Sequence, residues 1–196
     1  MFRYFVIYKP FGILSQFSGE KETLKSLADF PEDVYPVGRL DKDSEGFLLI
    51  TNDKKLNNLL LDPDQGHKRE YWVQVEGMVT KEALIALQQG IQIKIKGKMH
   101  YTAKAQAKSL DNPEKQLPER IPPIRYRKDI PDSWISLTLK EGKNRQVRKM
   151  TAHVGFPTLR LVRWSIGNLN IKGYQVGEIR EMDQKSIYRG LGLERI

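Results

Sequence analysis

The 196-residue chain contains no cysteine. That excludes disulfides, thiolate metal ligands and cysteine nucleophiles, and it fits a reducing compartment. Histidine is nearly as scarce. Only His67, His100 and His153 are present, and none falls at a short ligand spacing, so no zinc site is expected. Long apolar runs are missing too, and nothing approaches the roughly 20 residues that a membrane span requires. The opening stretch, Met1-Phe2-Arg3-Tyr4-Phe5-Val6-Ile7, has one cation, a brief apolar run and no small-residue cleavage site. It reads as a first strand rather than a leader, and the expected location is cytoplasmic. There is no internal repeat, no low-complexity tract and no Walker or dinucleotide glycine loop.

What is present suits a folded protein with a polyanionic partner. Hydrophobic residues make up 39% and charged residues 29%. A chain of this length buries roughly 70% of its unfolded surface without needing staples. Thirty-three Lys and Arg stand against 24 Asp and Glu, a net charge of +9. Excess positive charge favours polyanions through counterion release, which makes nucleic acid the leading partner class. A generally basic surface is the plainer alternative.

The chain alternates strand and helix patterns without a βαβ rhythm, which predicts an α+β domain with a largely antiparallel sheet. Residues 2–8 read as a strand closed by Lys9-Pro10-Phe11-Gly12, and residues 21–29 as a short helix presenting Leu24 and Leu27. A helix is expected near 53–61, with Asp53 at its start, Leu56, Leu59 and Leu60 on one face, and Pro63 ending it. Residues 70–76 alternate as a half-buried strand with Tyr71, Val73 and Val75 on one face. Thr80 and Gly90 bracket a helix over 81–89. Residues 91–96 and 101–108 suggest a hairpin around Gly97-Lys98, and further strands are expected over 133–139, 159–165 and 176–180.

Two segments carry unusual charge. Residues 111–132 hold Pro113, Pro118, Pro122, Pro123 and Pro131, with Arg120, Arg125, Tyr126, Arg127 and Lys128 among them. Arginine beside an aromatic residue suits stacking on unpaired bases, so this stretch is expected to be an RNA-contacting arm; the alternative is a solvated linker. Residues 144–154 form the clearest helix. Val147, Met150, Thr151 and Val154 make an inward face, and Arg145, Arg148 and Lys149 an outward one. Cations near a helix N-terminus oppose its dipole, so either an anion binds there, phosphate or partner carboxylate, or the face is simply solvated.

The most informative stretch is Gly38-Arg39-Leu40-Asp41-Lys42-Asp43-Ser44-Glu45-Gly46, running directly into Phe47-Leu48-Leu49-Ile50-Thr51. A charged, glycine-bounded loop meets a buried strand, and Asp41 sits beside Arg39 on the rim of a rigid element. Taken alone, Asp41 could merely cap a turn. Its surroundings resemble the signature of pseudouridine synthases of the RsuA type, whose catalytic aspartate lies in Gly-Arg-Leu-Asp. The likeness extends in order along nearly the whole chain. Lys9-Pro10-x-Gly12 is similar to the family's first motif, and Arg69-Glu70-Tyr71-Trp72-Val73 to its strand motif. Glu141-Gly142-Lys143-Asn144-Arg145-Gln146-Val147-Arg148-Lys149-Met150 is similar to the later one, and Arg160-Leu161-x-Arg163-x-x-Ile166-Gly167 to the pattern near the end. Ser44 and Phe47 stand where relatives commonly have threonine and leucine. The chain starts directly at the catalytic-domain strand, without the S4 RNA-binding domain many relatives carry. With Pro122-Pro123-Ile124-Arg125-Tyr126-Arg127, it looks most like the large-subunit rRNA subgroup E.

The resemblance implies a single catalytic domain over 1–196, with two lobes around a central RNA-binding cleft. It implies cofactor-free, metal-free isomerisation of uridine to pseudouridine in bacterial 23S rRNA or an assembling large subunit; nothing in the sequence suggests an obligate interface, so a monomer is expected. Asp41 would be the catalytic carboxylate, Arg148 its ion-pair partner, and Tyr71 the ring that stacks on the flipped uracil. Leu161 would line the uracil pocket. Arg39, Lys143, Arg145, Lys149, Arg125 and Arg127 would contact RNA. Asp43 reads as a turn residue and His153 as structural. Two other readings remain: a non-catalytic RNA-binding or ribosome-assembly protein, and a Mg²⁺ nuclease using Asp41, Asp43 and Glu45.

Overall fold

The computed structural model describes residues 1–19, 21–124 and 130–193. Eleven strands and four α-helices alternate as β1 (Tyr4–Lys9), β2 (Tyr35–Pro36), β3 (Glu45–Thr51), α1 (Lys54–Leu61), β4 (Arg69–Glu76), α2 (Lys81–Gln89), β5 (Gln92–Ile95), β6 (Lys98–Tyr101), β7 (Gln106–Leu110), β8 (Asp132–Leu139), α3 (Gln146–His153), β9 (Thr158–Ile166), β10 (Leu169–Asn170), β11 (Ile179–Met182) and α4 (Gln184–Leu191). The main sheet runs β11-β1-β3-β9-β4-β8-β7, with β2 added to β3 and β10 to β9. Its pairings are antiparallel except one. β3 and β9 run parallel through only two residue pairs, Glu45 with Val162 and Gly46 with Arg163. The expected α+β class and mixed, largely antiparallel sheet are what the chain adopts.

The parallel seam divides the sheet into two halves, and the core is arranged around it. On one face a continuous cluster crosses the seam: Tyr4, Val6, Tyr8, Phe47 and Leu49 meet Trp72, Val162 and Trp164. Leu56 and Leu60 of α1 and Ile187 and Leu191 of α4 cover that face. The indoles of Trp72 and Trp164 stack at 3.8 Å and 8°. The other face carries two separate clusters. Phe5, Ile7, Leu48 and Ile50 pack under Leu24 and Val34, whereas Val73, Leu137 and Leu161 pack under Leu87 of α2 and Val147 and Met150 of α3. Side chains alternate across a strand, so each residue of β4 and β9 serves one face or the other. Between the two separate covers the sheet is open, and a cleft forms over the seam.

Several local expectations need correcting. Residues 21–29 form only one 3₁₀ turn, Leu24–Ser26. The backbone of this stretch pairs with the preceding loop instead, Leu14 N–H donating to Glu22 at 2.7 Å and Leu24 N–H to Gln16 at 3.0 Å. The hairpin turns at Lys96-Gly97, both at positive φ (47° and 85°), and pairs only β5 with β6. Two consecutive positive-φ residues are what a tight hairpin turn requires. The rest of the expected second arm becomes β7, which joins β8 in the main sheet. The last strand begins at Ile179 rather than 176, while Gly177 and Glu178 extend the pairing with Tyr8 through loop hydrogen bonds of 2.9 and 3.0 Å. Helix α3 begins at Gln146, so Arg145 precedes it in a left-handed conformation at φ 51°. Its inward face is as expected, with Val147, Met150 and Thr151 buried. α4 had no counterpart in the sequence reading.

The remaining helices follow their caps. The Asp53 carboxylate accepts from Leu56 N–H at 3.1 Å, and the Thr80 hydroxyl from Ala83 N–H at 3.2 Å. Asp53 does more than start a helix. It is 1% exposed and accepts from the hydroxyls of Tyr4 at 2.8 Å and Tyr188 at 2.7 Å, which ties α4 to β1 and α1.

Candidate active site

The cleft over the seam has a volume of about 770 Å³. It gathers segments far apart in the chain: the 38–44 loop, Tyr71 of β4, residues 139–147 before and into α3, and Leu161 and Arg163 of β9. Asp41, Tyr71, Leu161, Arg39, Lys143 and Arg145 all line it. Arg148 and Lys149 are not among its lining residues. Arg125 and Arg127 lie outside the described residues.

The loop carrying Asp41 is held on both sides. The Ser15 hydroxyl donates to the Leu40 carbonyl at 2.9 Å and accepts from Leu40 N–H at 3.0 Å. Gly12 N–H donates to the Lys42 carbonyl at 2.8 Å, and Ser44 N–H closes the turn onto the Asp41 carbonyl at 3.0 Å. Lys42 and Glu22 form an ion pair on the outside. Leu40 is buried and Arg39 exposed. Asp41 is thus presented to the cleft by backbone contacts rather than by its own side chain.

The arginines are arranged differently from the sequence expectation. Arg148 stands against Asp43, not Asp41. Its Nη2 donates to the Asp43 carbonyl at 2.5 Å, and its Nε lies 3.4 Å from the Asp43 carboxylate. Arg145 grips the same carboxylate with two bonds, at 2.9 and 2.8 Å, and lies 3.8 Å from the Asp41 carboxylate. Arg145 itself sits at a left-handed φ of 51°, and such conformations persist where the surroundings enforce them. The cations at the start of α3 therefore find a partner carboxylate. Burial pushes the Asp43 carboxyl up, but Arg145 and Arg148 outweigh it and hold the group below the usual range. Burial lowers Arg148, with Asp43 opposing, and the bond to Asp43 raises Arg145. Asp43 is a turn residue, as expected, and also the hub of this network.

The floor of the cleft adds residues the sequence did not single out. Tyr71 on β4 and Arg163 on β9 are direct cross-strand partners, and Arg163 is 3% exposed. Gly46 permits the seam to close: a Cβ there would meet the Arg163 carbonyl at 2.4 Å. Lys9 is fully buried behind the seam, its ammonium donating to the carbonyls of Pro10 at 2.7 Å and Ile13 at 2.6 Å. Burial pushes it down to about 7, with Glu45 opposing. Glu45 and Arg160 form a buried two-bond pair at 3.0 and 2.9 Å. Arg160 also donates to the Pro118 carbonyl at 2.9 Å, Leu117 joins the core, and Arg120 stacks 4.0 Å over Phe11. The start of the proline-rich segment is therefore anchored beside the Lys9-Pro10-Phe11-Gly12 loop. The motif positions of Lys9, Ser44 and Arg163 were the available signal for this floor; nothing in the composition marks them as buried.

At the back of the cleft, the Glu141 carboxylate accepts from Gln146 at 2.6 Å and Ala103 N–H at 2.9 Å, and contacts His100 at 3.1 Å. This fixes the turn before α3 against the β5–β6 hairpin. Cations dominate the rim, with Arg39, Lys42, Lys140, Lys143 and Arg145 set against Asp41, Asp62 and Glu141.

Comparison with known proteins identifies relatives of the chain. The sequence model of the RNA pseudouridylate synthase family matches residues 3–153. The chain is 45% identical over 183 residues to the ribosomal large subunit pseudouridine synthase E of Vibrio vulnificus, covering 92% of this chain and 75% of that one. It is 49% identical over 166 residues to the protein of that name from Xanthomonas axonopodis pv. citri, covering 83% and 85%. A crystal structure of a pseudouridylate synthase superposes with a TM-score of 0.80 at 25% identity, covering 97% of this chain and 74% of that one. The chain belongs to the RNA pseudouridylate synthase family.

Proposed function

We propose that this protein isomerises a specific uridine of bacterial 23S rRNA to pseudouridine, with Asp41 as the catalytic carboxylate. One observation carries the assignment of the site: Asp41, Tyr71 and Leu161, from three separate motifs, converge on one cation-rimmed cleft. The reaction breaks the N1–C1′ bond, turns the uracil, and joins C5 to C1′. It imports no group and changes no oxidation state, so the chain's own side chains suffice. A carboxylate near C1′ assists the bond exchange. Tyr71 stacks on the base and Leu161 lies under it, an apolar slot closed by an aromatic face. Extruding the base costs a few kcal/mol, least for an unpaired nucleotide. The rim cations hold the flanking phosphates. The Asp43 network positions the Asp41 loop from behind. The protein acts as a monomer in the cytoplasm, on free rRNA or an assembling large subunit. Among the described residues no helix is long and apolar enough to cross a membrane.

The test uses purified protein in EDTA with unmodified bacterial 23S rRNA, mapping pseudouridine by carbodiimide-dependent reverse-transcription stops. One new stop is expected, and Asp41→Asn should abolish it while leaving RNA affinity in place. A stop that survives Asp41→Asn overturns the site assignment. No stop, on free rRNA and on immature subunits alike, overturns the isomerase reading in favour of a non-catalytic RNA-binding protein.

A further inference from the structure

The cleft floor contains buried positive charge with no carboxylate acting on it among the described residues. Arg163 donates through Nε to the Phe47 carbonyl at 2.8 Å, across the seam. Its Nη2 is buried and has no hydrogen-bond acceptor among the described residues. The groups acting on its charge, after burial itself, are the Tyr71 phenol, which also hydrogen-bonds to the Arg163 side chain, and the Arg69 cation, not a carboxylate. Lys9 lies close enough for Arg163 to push its ammonium further down. The nearby buried carboxylate, Glu45, is already engaged by Arg160. A second orphan lines the same cleft: the Ser44 hydroxyl is buried and has no hydrogen-bond partner among the described residues. A guanidinium stripped of water without a counter-ion costs several kcal/mol. Unmet donors beside a binding cleft are explained if the ligand supplies the acceptor.

The isomerisation supplies one. When N1–C1′ breaks, the bonding pair stays on the ring, and the uracil anion spreads its charge onto O2 and O4. C5 then bonds to C1′, the C5 proton leaves to a base, and N1 takes up a proton, so atoms and charge balance. We propose that Arg163 Nη2 donates to a carbonyl oxygen of the flipped uracil, with the Ser44 hydroxyl as second donor, and stabilises the ring anion between bond cleavage and rejoining. This rests on the isomerase reading above. Arg145 is engaged with Asp43, and Arg148, whose Nε is likewise buried without a hydrogen-bond partner among the described residues, donates through Nη2 to the Asp43 carbonyl and does not line the cleft. Arg163 faces the cleft beside Tyr71 and Leu161, where the base is held. A fixed donor in a site closed to water needs no reorganisation as charge develops, which is where such groups act most strongly.

The experiment is single-turnover pseudouridine formation on the rRNA transcript mapped above, carrying uridine, 2-thiouridine or 4-thiouridine at the target. Sulfur accepts a hydrogen bond poorly, so one of the two thio substitutions should slow the wild-type enzyme about tenfold. Arg163→Met should be slower on uridine by about a hundredfold, with RNA affinity kept, and should show no further loss from that same substitution. Ser44→Ala should lose about tenfold. A folded Arg163→Met enzyme with a near wild-type rate overturns the proposal. So does one that retains the full thio penalty, since a purely structural arginine would leave that penalty intact. If Arg163→Met does not fold, a wild-type enzyme indifferent to both thio substitutions overturns it equally. A wild-type enzyme that makes no pseudouridine overturns the isomerase reading instead.

Discussion

Replacing Gly46 by alanine should separate the two halves of the active site. Gly46 sits at φ +101°, where an L side chain is strained. Its new Cβ would meet the Arg163 carbonyl at 2.4 Å, Val162 Cγ1 at 2.8 Å and the Arg163 nitrogen at 2.9 Å. Two of those three neighbours are backbone and cannot rotate away. Backbone strain costs about 1–2 kcal/mol and forced overpacking about 1–3 kcal/mol. The sum, about 2–5 kcal/mol, lowers the Tm of a chain this size by roughly 10 °C. The catalytic consequence follows from the place where the strain relaxes. β3 and β9 touch through two residue pairs only, one of them Gly46 with Arg163. Relief comes by parting the seam, which moves the Asp41 loop away from Leu161 and Arg163. A displacement of about 1 Å at reacting groups costs roughly a hundredfold in rate. Gly97→Ala is the control, since Gly97 also has positive φ, +85°, but nothing within 4 Å of an added Cβ. It should lose only the strain, about 1 kcal/mol, and no activity. Thermal unfolding by circular dichroism and single-turnover pseudouridine formation read both effects. A Gly46→Ala protein that melts with Gly97→Ala and retains full activity would refute the reasoning.

Other substitutions probe the layers around the cleft. Asp43→Asn releases Arg145 and Arg148 from their shared carboxylate, and turnover should fall at least about tenfold while filter-binding affinity for rRNA holds. Because the folded Asp43 carboxyl titrates below its usual value, its contribution to stability is present at neutral pH and lost as pH falls through that lowered value. Urea unfolding of wild type and Asp43→Asn should therefore converge in acid. Asp53→Ala removes an N-cap and the acceptor of two tyrosine hydroxyls, and should cost about 3 kcal/mol in urea unfolding with no change in the chemical step. Lys9 falls from 10.5 to about 7 on folding, so between those values the unfolded chain holds more protons and the wild-type protein gains stability as pH rises. Lys9→Met should remove that gain, measured by unfolding at pH 7 and at about pH 9.5.

Much of this protein was written locally. The alternation of Tyr71, Val73 and Val75, the face formed by Val147, Met150 and Thr151, and the caps Asp53 and Thr80 each depend on neighbours a few residues away. A period of 2 or 3.6 and an oxygen at a helix start are visible without a fold. The motifs around Asp41, Tyr71, Arg148 and Leu161 were equally visible, and Asp41, Tyr71 and Leu161 do line one cleft. What the sequence could not specify was pairing across distance. Arg148 was assigned to Asp41 but stands on Asp43, because which charges meet on two loops about a hundred residues apart depends on how the tertiary structure brings them together. The short helix expected over 21–29 gave way because residues 14–16 claimed its backbone groups. β7 left its hairpin because β8 offered a longer partner. Arg163 and Ser44 carry no signal of burial in their own composition; an arginine and a serine are most often exposed. Only the meeting of β3 with β9 places them under the cleft, with Arg163 Nη2 and the Ser44 hydroxyl lacking a partner among the described residues. Local chemistry determined the elements and the family resemblance singled out Asp41, while the tertiary structure alone decided which charges neutralise one another, because pairing across distance depends on how the strands and loops meet.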